Sequence, residues 1–179
     1  RDVKSEGYSA LKTNIFLYDE KDRIEAWSPG FGRPHDVARN VERHTLKNLR
    51  RHIEIMRDAA GPDIDILLDL NFNARTEGYL KILRETRDLD LFWVEIDTLD
   101  PKALAHIRAN SPHPISSCET LIGLQRFLPY FQNQSIDVAI IDTPWNGVWQ
   151  SLKIAAAAEA YEINIAPHNF YGHLCTMMN

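Results

Sequence analysis

The chain has 179 residues, of which 44% are hydrophobic and 25% are charged, which is typical of one globular domain or a piece of a larger one. Its formal net charge of −5 argues against a dedicated nucleic-acid surface, because phosphate binding needs a basic patch. Two cysteines imply no disulfide framework, and the sequence shows neither a signal region nor a membrane-spanning run, so we expect a cytoplasmic protein.

The first residues predict the end of a helix followed by a strand. Arg1–Gly7 is read as the helix end, with Gly7 as its C-cap. Tyr8–Phe16 is read as one strand, and its period of two places Lys12 and Asn14 on the same side.

A polar insertion and a long helix come next. The insertion covers Leu17–His35, and loops of this length are usually functional lids or mobile segments. Asp36–Ala60 has apolar residues at steps of three and four, which predicts a helix with one buried face. Gly61-Pro62 ends that helix.

Five apolar runs then end in a titratable side chain, and each is followed by helix-forming sequence. The runs are Ile64–Asn71, Leu91–Glu95, Pro114–Glu119, Val138–Asp142 and Ile163–His168. Their titratable residues are Asp69, Glu95, Glu119, Asp142 and His168, at steps of 26, 24, 23 and 26 residues. Buried parallel strands read as near-continuous apolar runs, and ligands bind at their C-terminal ends. One functional side chain per strand end is therefore expected.

Helices are predicted between these strands by apolar periodicity and by flanking glycine and proline. The predicted helices are Thr76–Arg87, Pro101–Ala109, Leu121–Phe131 with a bend or restart at Pro129, and Val148–Tyr161. A loop is predicted over Thr143–Gly147, and Asn169–Asn179 begins a further loop and helix.

The alternation of strands and helices, without hairpin signals, predicts a parallel α/β sheet. A doubly wound sheet and a (β/α)8 TIM-type barrel both satisfy the pattern. We favour the barrel, because functional residues end successive strands and no glycine-rich phosphate loop follows any of them. About six βα units fit in the chain, whereas a closed barrel needs eight. Residues 1–179 are therefore interpreted as a partial barrel catalytic domain with an insertion at 17–35.

Three acids at successive strand ends are the main candidate metal site. Asp69, Glu95 and Glu119 would repel one another unless a cation lay between them, and all-oxygen ligation suits Mg²⁺. Each acid alone is more often a helix N-cap or a surface residue, so the inference depends on all three being in phase.

Asp142 and His168 end adjacent strands and are candidates for a general base. An Asp that accepts a hydrogen bond from one imidazole nitrogen fixes the tautomer and raises the basicity of the other nitrogen. The alternative is an ordinary loop histidine. Lys12, across the mouth of the sheet, is read as a base, a carboxylate clamp or a surface lysine.

Several polar or aromatic residues near these strand ends are weaker candidates. Asn71 is expected to face the same side as Asp69, and Trp145 lies in the loop after Asp142. Cys118 is read as a buried filler rather than a reactive thiol, since free cysteine is usually buried. His173 is a further candidate for lining the pocket.

Six short segments, in this order and spacing, resemble the barrel domain of the mandelate racemase subgroup of the enolase superfamily. The matching segments are Gly7-Tyr8-Ser9-Ala10-Leu11-Lys12-Thr13-Asn14, Leu68-Asp69-Leu70-Asn71, Phe92-Trp93-Val94-Glu95, Ser117-Cys118-Glu119-Thr120, Ile141-Asp142 followed by Asn146-Gly147, and Ala166-Pro167-His168-Asn169. The resemblance covers essentially the whole chain.

This resemblance implies that Asp69, Glu95 and Glu119 bind Mg²⁺ and that Asp142 and His168 form a catalytic dyad. It places Lys12 at the first position of the family's Lys-x-Lys motif. The implied reaction is removal of the proton α to a carboxylate, with the metal holding the enediolate. Asn14, Asn71, Trp145 and Asn169 are taken as the substrate-binding candidates.

One departure from the family pattern favours dehydration of a sugar acid. Asn14 replaces the second lysine of the motif, and an amide cannot act as a base near neutral pH. Racemisation needs bases on both faces of the substrate carbon, whereas His168 alone can remove the α-proton and protonate a departing β-hydroxyl. We therefore expect a hydro-lyase that acts on a small sugar acid and is a homo-oligomer when complete. The alternatives are a racemase or epimerase of a 2-hydroxy acid, and a truncated fragment that keeps only metal binding.

Overall fold

The computed structural model describes residues 5–18, 21, 23–28 and 41–179. The chain divides into two compact units. The N-terminal unit comprises Arg1–Ile96 with Asn110–His113, and the C-terminal unit comprises Asp97–Ala109 with Pro114–Asn179.

Both units contain strands and helices. The N-terminal unit contains β1 (Ala10–Thr13), β2 (Ile15–Tyr18), β3 (Ile24–Ser28), α1 (Arg43–Ala60), β4 (Asp65–Asp69), α2 (Thr76–Glu85) and β5 (Trp93–Glu95). The C-terminal unit contains α3 (Pro101–Ala109), β6 (Ile115–Ser117), α4 (Leu124–Gln132), β7 (Val138–Asp142), α5 (Thr143–Asn146), α6 (Val148–Ala160), β8 (Asn164–His168) and α7 (His173–Met178).

In the N-terminal unit, β4 pairs in parallel with β1 on one side and with β5 on the other. Ile66, Leu67 and Leu68 of β4 are all buried, as expected for a strand covered on both faces. Leu49 and Ile53 lie one turn apart on α1 and are also fully buried. The register places Asp69 beside Glu95 at the C-terminal ends of β4 and β5.

The C-terminal unit repeats this arrangement with β7 between β6 and β8, again in parallel. All five residues of β7 are buried, and its register places Asp142 beside His168. α4 continues through Pro129. Gly147, with a φ of +73°, separates α5 from α6, and glycine takes this left-handed conformation without a steric penalty.

Six strands in parallel pairings, three in each unit, confirm the predicted α/β class and the incomplete barrel of about six βα units. The helix at Pro101–Ala109 and the strand at Val138–Asp142 have the predicted bounds. Within the parts of the chain that are described, none of the helices has the length and apolar character needed to cross a bilayer.

The predicted single strand Tyr8–Phe16 was wrong. It is two strands, because β1 joins the parallel sheet whereas β2 forms an antiparallel pair with β3. The prediction that the chain contains no hairpin was also wrong, since part of the insertion Leu17–His35 forms strand β3. Residues 19, 20, 22 and 29–35 of the insertion lie outside the described residues.

Two further boundaries differ from the sequence prediction. The helix expected over Asp36–Ala60 begins at Arg43, and residues 36–40 lie outside the described part. The loop expected over Thr143–Gly147 is the short helix α5, because the Asp142 side chain accepts a hydrogen bond from the Trp145 amide and caps it. Residues 1–4 of the expected N-terminal helix end also lie outside the described part.

The buried apolar face of β4 generates a stability prediction. Leu68 is fully buried, so Leu68→Ala in the full-length protein should lower the free energy of unfolding by about 2–5 kcal/mol through lost burial and a residual cavity. Urea titration followed by circular dichroism measures this change. Leu99→Ala is the matched control, because Leu99 is 76% exposed and its truncation should change little. Equal losses in both variants would contradict the assignment of β4 to the core.

Candidate active site

Lys12, Asp69 and Glu95 form one charged cluster at the C-terminal ends of three neighbouring strands in the N-terminal unit. The Lys12 Nζ lies 2.7 Å from Glu95 Oε2 and 3.2 Å from Asp69 Oδ2. Carboxylate oxygens of Asp69 and Glu95 lie within 4.8 Å of each other. Asp69 is 5% exposed and Glu95 is fully buried. Two acids are thus held close together by one shared positive charge.

A tight turn after β4 fixes the Asp69 carboxylate. The backbone amide of Asn71 donates to Asp69 Oδ1 at 3.0 Å, and Asn71 takes a left-handed φ of +43° that asparagine tolerates better than most residues. The Tyr79 hydroxyl of α2 donates to the Asn71 carbonyl at 2.6 Å. The Asn71 Oδ1 is buried without a hydrogen-bond partner among the described residues. A buried acceptor of this kind is suited to a ligand that donates a hydrogen bond.

Lys12 remains protonated in this setting. Burial lowers the pKa of Lys12, but the Glu95 and Asp69 carboxylates outweigh burial and raise that pKa above its ordinary value. A protonated ammonium has no lone pair with which to remove a proton. Of the roles expected for Lys12, the geometry therefore favours the carboxylate clamp over the base.

Asp142 and His168 form a second cluster, in the C-terminal unit. His168 Nδ1 lies 2.8 Å from Asp142 Oδ2, across the register of β7 and β8. An ionised carboxylate only accepts hydrogen bonds, so Nδ1 carries the proton in this pair and Nε2 keeps a lone pair when the imidazole is neutral. His168 Nε2 faces Glu119 Oε2 at 3.8 Å. The pair therefore has the arrangement expected of an Asp–His general base, with Nε2 turned away from Asp142 and toward Glu119.

Three donors fix the buried Asp142 carboxylate, which is 1% exposed. Besides His168, the Trp145 backbone amide donates to Oδ1 at 3.0 Å and the Tyr171 hydroxyl donates to Oδ2 at 2.7 Å. Sequence reasoning did not single out Tyr171. The sequence signal that could have identified it is its position, because a tyrosine three residues after His168 lies in the loop that directly follows this strand end.

The remaining candidates have varied surroundings. Asn14 is half-buried and lies at the break between β1 and β2, outside the strand in which it was expected to share a face with Lys12. The Asn169 side chain donates to Thr176 Oγ1 at 2.8 Å and accepts from the Tyr171 amide at 3.2 Å, which orders the loop after β8. Trp145 is 48% exposed.

Two other residues have clear structural roles. Cys118 is buried, as expected, and burial raises the pKa of its thiol, which leaves it protonated and unreactive. Its φ of +89° bends the chain between Ser117 and Glu119. The Asn146 side chain links α5 to the loop before α4. It accepts a hydrogen bond from the Gly123 amide at 2.8 Å and donates one to the Leu121 carbonyl at 3.0 Å.

Comparison with known proteins places these clusters in context. The model of the family described as enolase C-terminal domain-like matches residues 1–179. The chain is 25% identical over 175 residues to the D-gluconate dehydratase of Thermoproteus tenax, covering 96% of this chain and 32% of that protein. It is 30% identical over 127 residues to a D-galactonate dehydratase family member of Streptomyces sp. (strain SPB074), covering 69% of this chain and 28% of that protein.

One solved structure is more similar in sequence than these relatives. It is a Burkholderia xenovorans strain LB400 protein, described provisionally as an L-alanine-DL-glutamate epimerase and bound to magnesium and fumarate. The identity is 61% and the TM-score 0.93, over 99% of this chain and 44% of that chain. The chain thus spans about a third or less of the two dehydratases and under half of the crystallised protein.

The Lys12 cluster generates a prediction about stability and pH. Lys12→Met in the metal-free full-length protein should lower the free energy of unfolding by about 1–3 kcal/mol, because two buried acids lose their shared cation and partial exposure of Lys12 moderates the loss. The raised pKa of Lys12 means that its contribution is complete below the ordinary value of 10.5 and is lost only at higher pH.

The difference between wild type and Lys12→Met should therefore not shrink as the pH rises from about 6 to about 9 in urea titrations with a chelator present. Lys47→Met is the control, since Lys47 is exposed on α1 and its loss should have a small effect. A difference that fades within this pH range would contradict the ion-pair geometry.

Proposed function

Because the chain belongs to the enolase C-terminal domain-like family, we propose that it forms part of a Mg²⁺-dependent dehydratase of sugar acids. The observation that carries the proposal is the Asp142–His168 hydrogen bond of 2.8 Å, which leaves the other imidazole nitrogen free to take a proton. The dehydratase names of two relatives support the same reaction class.

The residues present fit a bound Mg²⁺ ion. Asp69 and Glu95 are buried, their carboxylate oxygens lie within 4.8 Å of each other, and they already share one cation in the Lys12 ammonium. Oxygen-only donors suit Mg²⁺ better than they suit Zn²⁺. We assign Glu119 as the third ligand on the basis of family membership. When bound, Mg²⁺ supplies positive charge to the substrate carboxylate and so eases loss of the neighbouring proton.

His168 carries the proton through both halves of the proposed reaction. Its Nε2 takes the proton from the carbon next to the substrate carboxylate, and the Nδ1–H bond to Asp142 stabilises the imidazolium that forms. The imidazolium then returns this proton to the β-hydroxyl, which leaves as water. One C–H and one C–O bond break, a carbon–carbon double bond forms, and the resulting enol becomes a 2-keto acid.

Lys12 and Asn14 favour elimination over racemisation. Racemisation requires a second base on the opposite face of the substrate carbon. The Lys12 ammonium is paired with Glu95 and Asp69, and the amide of Asn14 cannot accept a proton near neutral pH. In this proposal Lys12 binds negative charge and His168 is the one base.

An epimerase is the second candidate. The observation that favours it is the 61% identity to the Burkholderia xenovorans protein, whose provisional description is that of an epimerase. Epimerisation shares the first step with dehydration, namely removal of the α-proton, and differs in whether the proton returns to carbon. Product analysis therefore separates the two reactions.

The first functional prediction concerns products. With Mg²⁺ and a panel of aldonic and aldaric acids, the full-length protein should release a 2-keto product, detected by carbonyl derivatisation and mass spectrometry. His168→Asn should lower kcat by about 100-fold or more, because it removes the proton carrier. His106→Asn, on an exposed part of α3, is the control and should be active. Inversion at the α-carbon without a 2-keto product would favour the epimerase instead.

The second functional prediction concerns the metal. Mg²⁺ should raise the thermal unfolding temperature of the full-length protein, because a ligand that binds the folded state stabilises it. Asp69→Asn should abolish this rise by removing a charged ligand. Asp65→Asn is the matched control, because Asp65 is exposed at the other end of β4. Mg²⁺ should raise the unfolding temperature of this variant as much as that of wild type. A full response from Asp69→Asn would exclude Asp69 as a ligand.

A further inference from the structure

Tyr171 shares one oxygen of Asp142 with the candidate base. Its hydroxyl donates to Asp142 Oδ2 at 2.7 Å, and the same oxygen accepts from His168 Nδ1 at 2.8 Å. The Tyr171 ring also stands edge-on to the His168 ring, with an interplanar angle of 82° and centroids 6.1 Å apart. Tyr171 therefore contacts both members of the pair.

We propose that Tyr171 is a positioning residue, which locks the Asp142 carboxylate in the orientation that presents His168 for proton transfer. This inference rests on the proposed function, because it assigns Tyr171 a part in the same proton-transfer step. It adds a residue that acts through Asp142 and not by contact with the substrate.

Packing alone does not account for the place of Tyr171. The residue is 41% exposed, so apolar burial holds it only in part, and its hydroxyl nevertheless reaches a carboxylate that is 1% exposed. Burial and the hydrogen bond to Asp142 raise the pKa of Tyr171 to about 12, so the phenol remains a donor throughout the neutral range. A charge-assisted bond of this kind is stronger than one between neutral groups.

The geometry of the carboxylate explains why a second donor on Oδ2 matters. The Trp145 amide holds Oδ1, while Tyr171 and His168 approach Oδ2 from two directions. Loss of the phenol leaves Oδ2 with the imidazole as its only donor among the described residues. The carboxylate can then turn about its last single bond and take the imidazole with it. Misalignment of a base by a fraction of an ångström slows proton transfer without weakening substrate binding.

The test compares Tyr171→Phe with Tyr8→Phe in the full-length protein with Mg²⁺. Both changes remove one phenol oxygen and keep the ring, but Tyr8 is 62% exposed and precedes β1, at the opposite strand end. Tyr171→Phe should lower kcat by about tenfold with KM within about twofold of wild type, because one charge-assisted hydrogen bond is lost. Tyr8→Phe should leave both values unchanged. Equal kinetics in the two variants would overturn the proposal.

A spectroscopic measurement makes the outcome independent of turnover. The His168 Nδ1 proton should give a far-downfield proton resonance, assigned by its absence in His168→Asn. Tyr171→Phe should shift or broaden this resonance at fixed pH, whereas Tyr8→Phe should not. If wild type forms no 2-keto acid but the resonance still responds to Tyr171→Phe alone, the dehydratase proposal fails and the positioning role stands. An unmoved resonance overturns the positioning role even if dehydration is observed.

A double-mutant cycle with Asp142→Asn tests the route through which Tyr171 acts. If Tyr171 works only through the Asp142 carboxylate, Tyr171→Phe should reduce the residual rate of the Asp142→Asn variant by less than about twofold. A further tenfold loss in that background would show that Tyr171 acts on the reaction directly and would overturn the positioning role.

Discussion

Buried carboxylates at the ends of parallel strands are the constraint on which the rest of this structure depends. An unpaired buried charge is costly, so each acid must have donors that arrive from elsewhere in the chain. Asp69 and Glu95 share the Lys12 ammonium, whereas Asp142 has an imidazole, a phenol and a backbone amide. The first solution places a fixed cation between two acids. The second orients a titratable ring and leaves its other nitrogen available for chemistry.

Strand register brings the candidate site residues of each unit together. Parallel pairing places Asp69 beside Glu95 in one unit and Asp142 beside His168 in the other. These neighbours are 26 residues apart in sequence in both cases, and they meet because the two strands of each pair end in register. The helices between the strands set that spacing, and the turn at Asn71 and the cap of α5 fix the side chains. Each cluster is therefore built from backbone geometry before any ligand is considered.

The parts of the fold that were predictable from sequence are those specified by local pattern. Apolar runs that end in an acid located β4, β5 and β7, and the early proline located α3. The break at Asn14 was not predictable, because alternating residues look the same in a parallel strand and in a hairpin. The bonds of Tyr171 were equally hidden, since its hydroxyl meets Asp142 only when a loop 29 residues further along folds back. Both the break at Asn14 and the contact of Tyr171 with Asp142 depend on residues far apart in sequence, and local secondary-structure propensity does not determine them.

The shared ammonium in the N-terminal unit has a consequence for the order of assembly. Two buried acids this close together destabilise a fold unless a cation or hydrogen-bond donors compensate their charges. Here Lys12 acts as an internal counterion, so the strand ends can form and hold their shape before any ion arrives. A dication bound beside Asp69 and Glu95, as proposed, would meet a site with part of its negative charge already cancelled. If the proposed metal site is correct, folding would depend less on metal supply, because Lys12 already pairs with both acids.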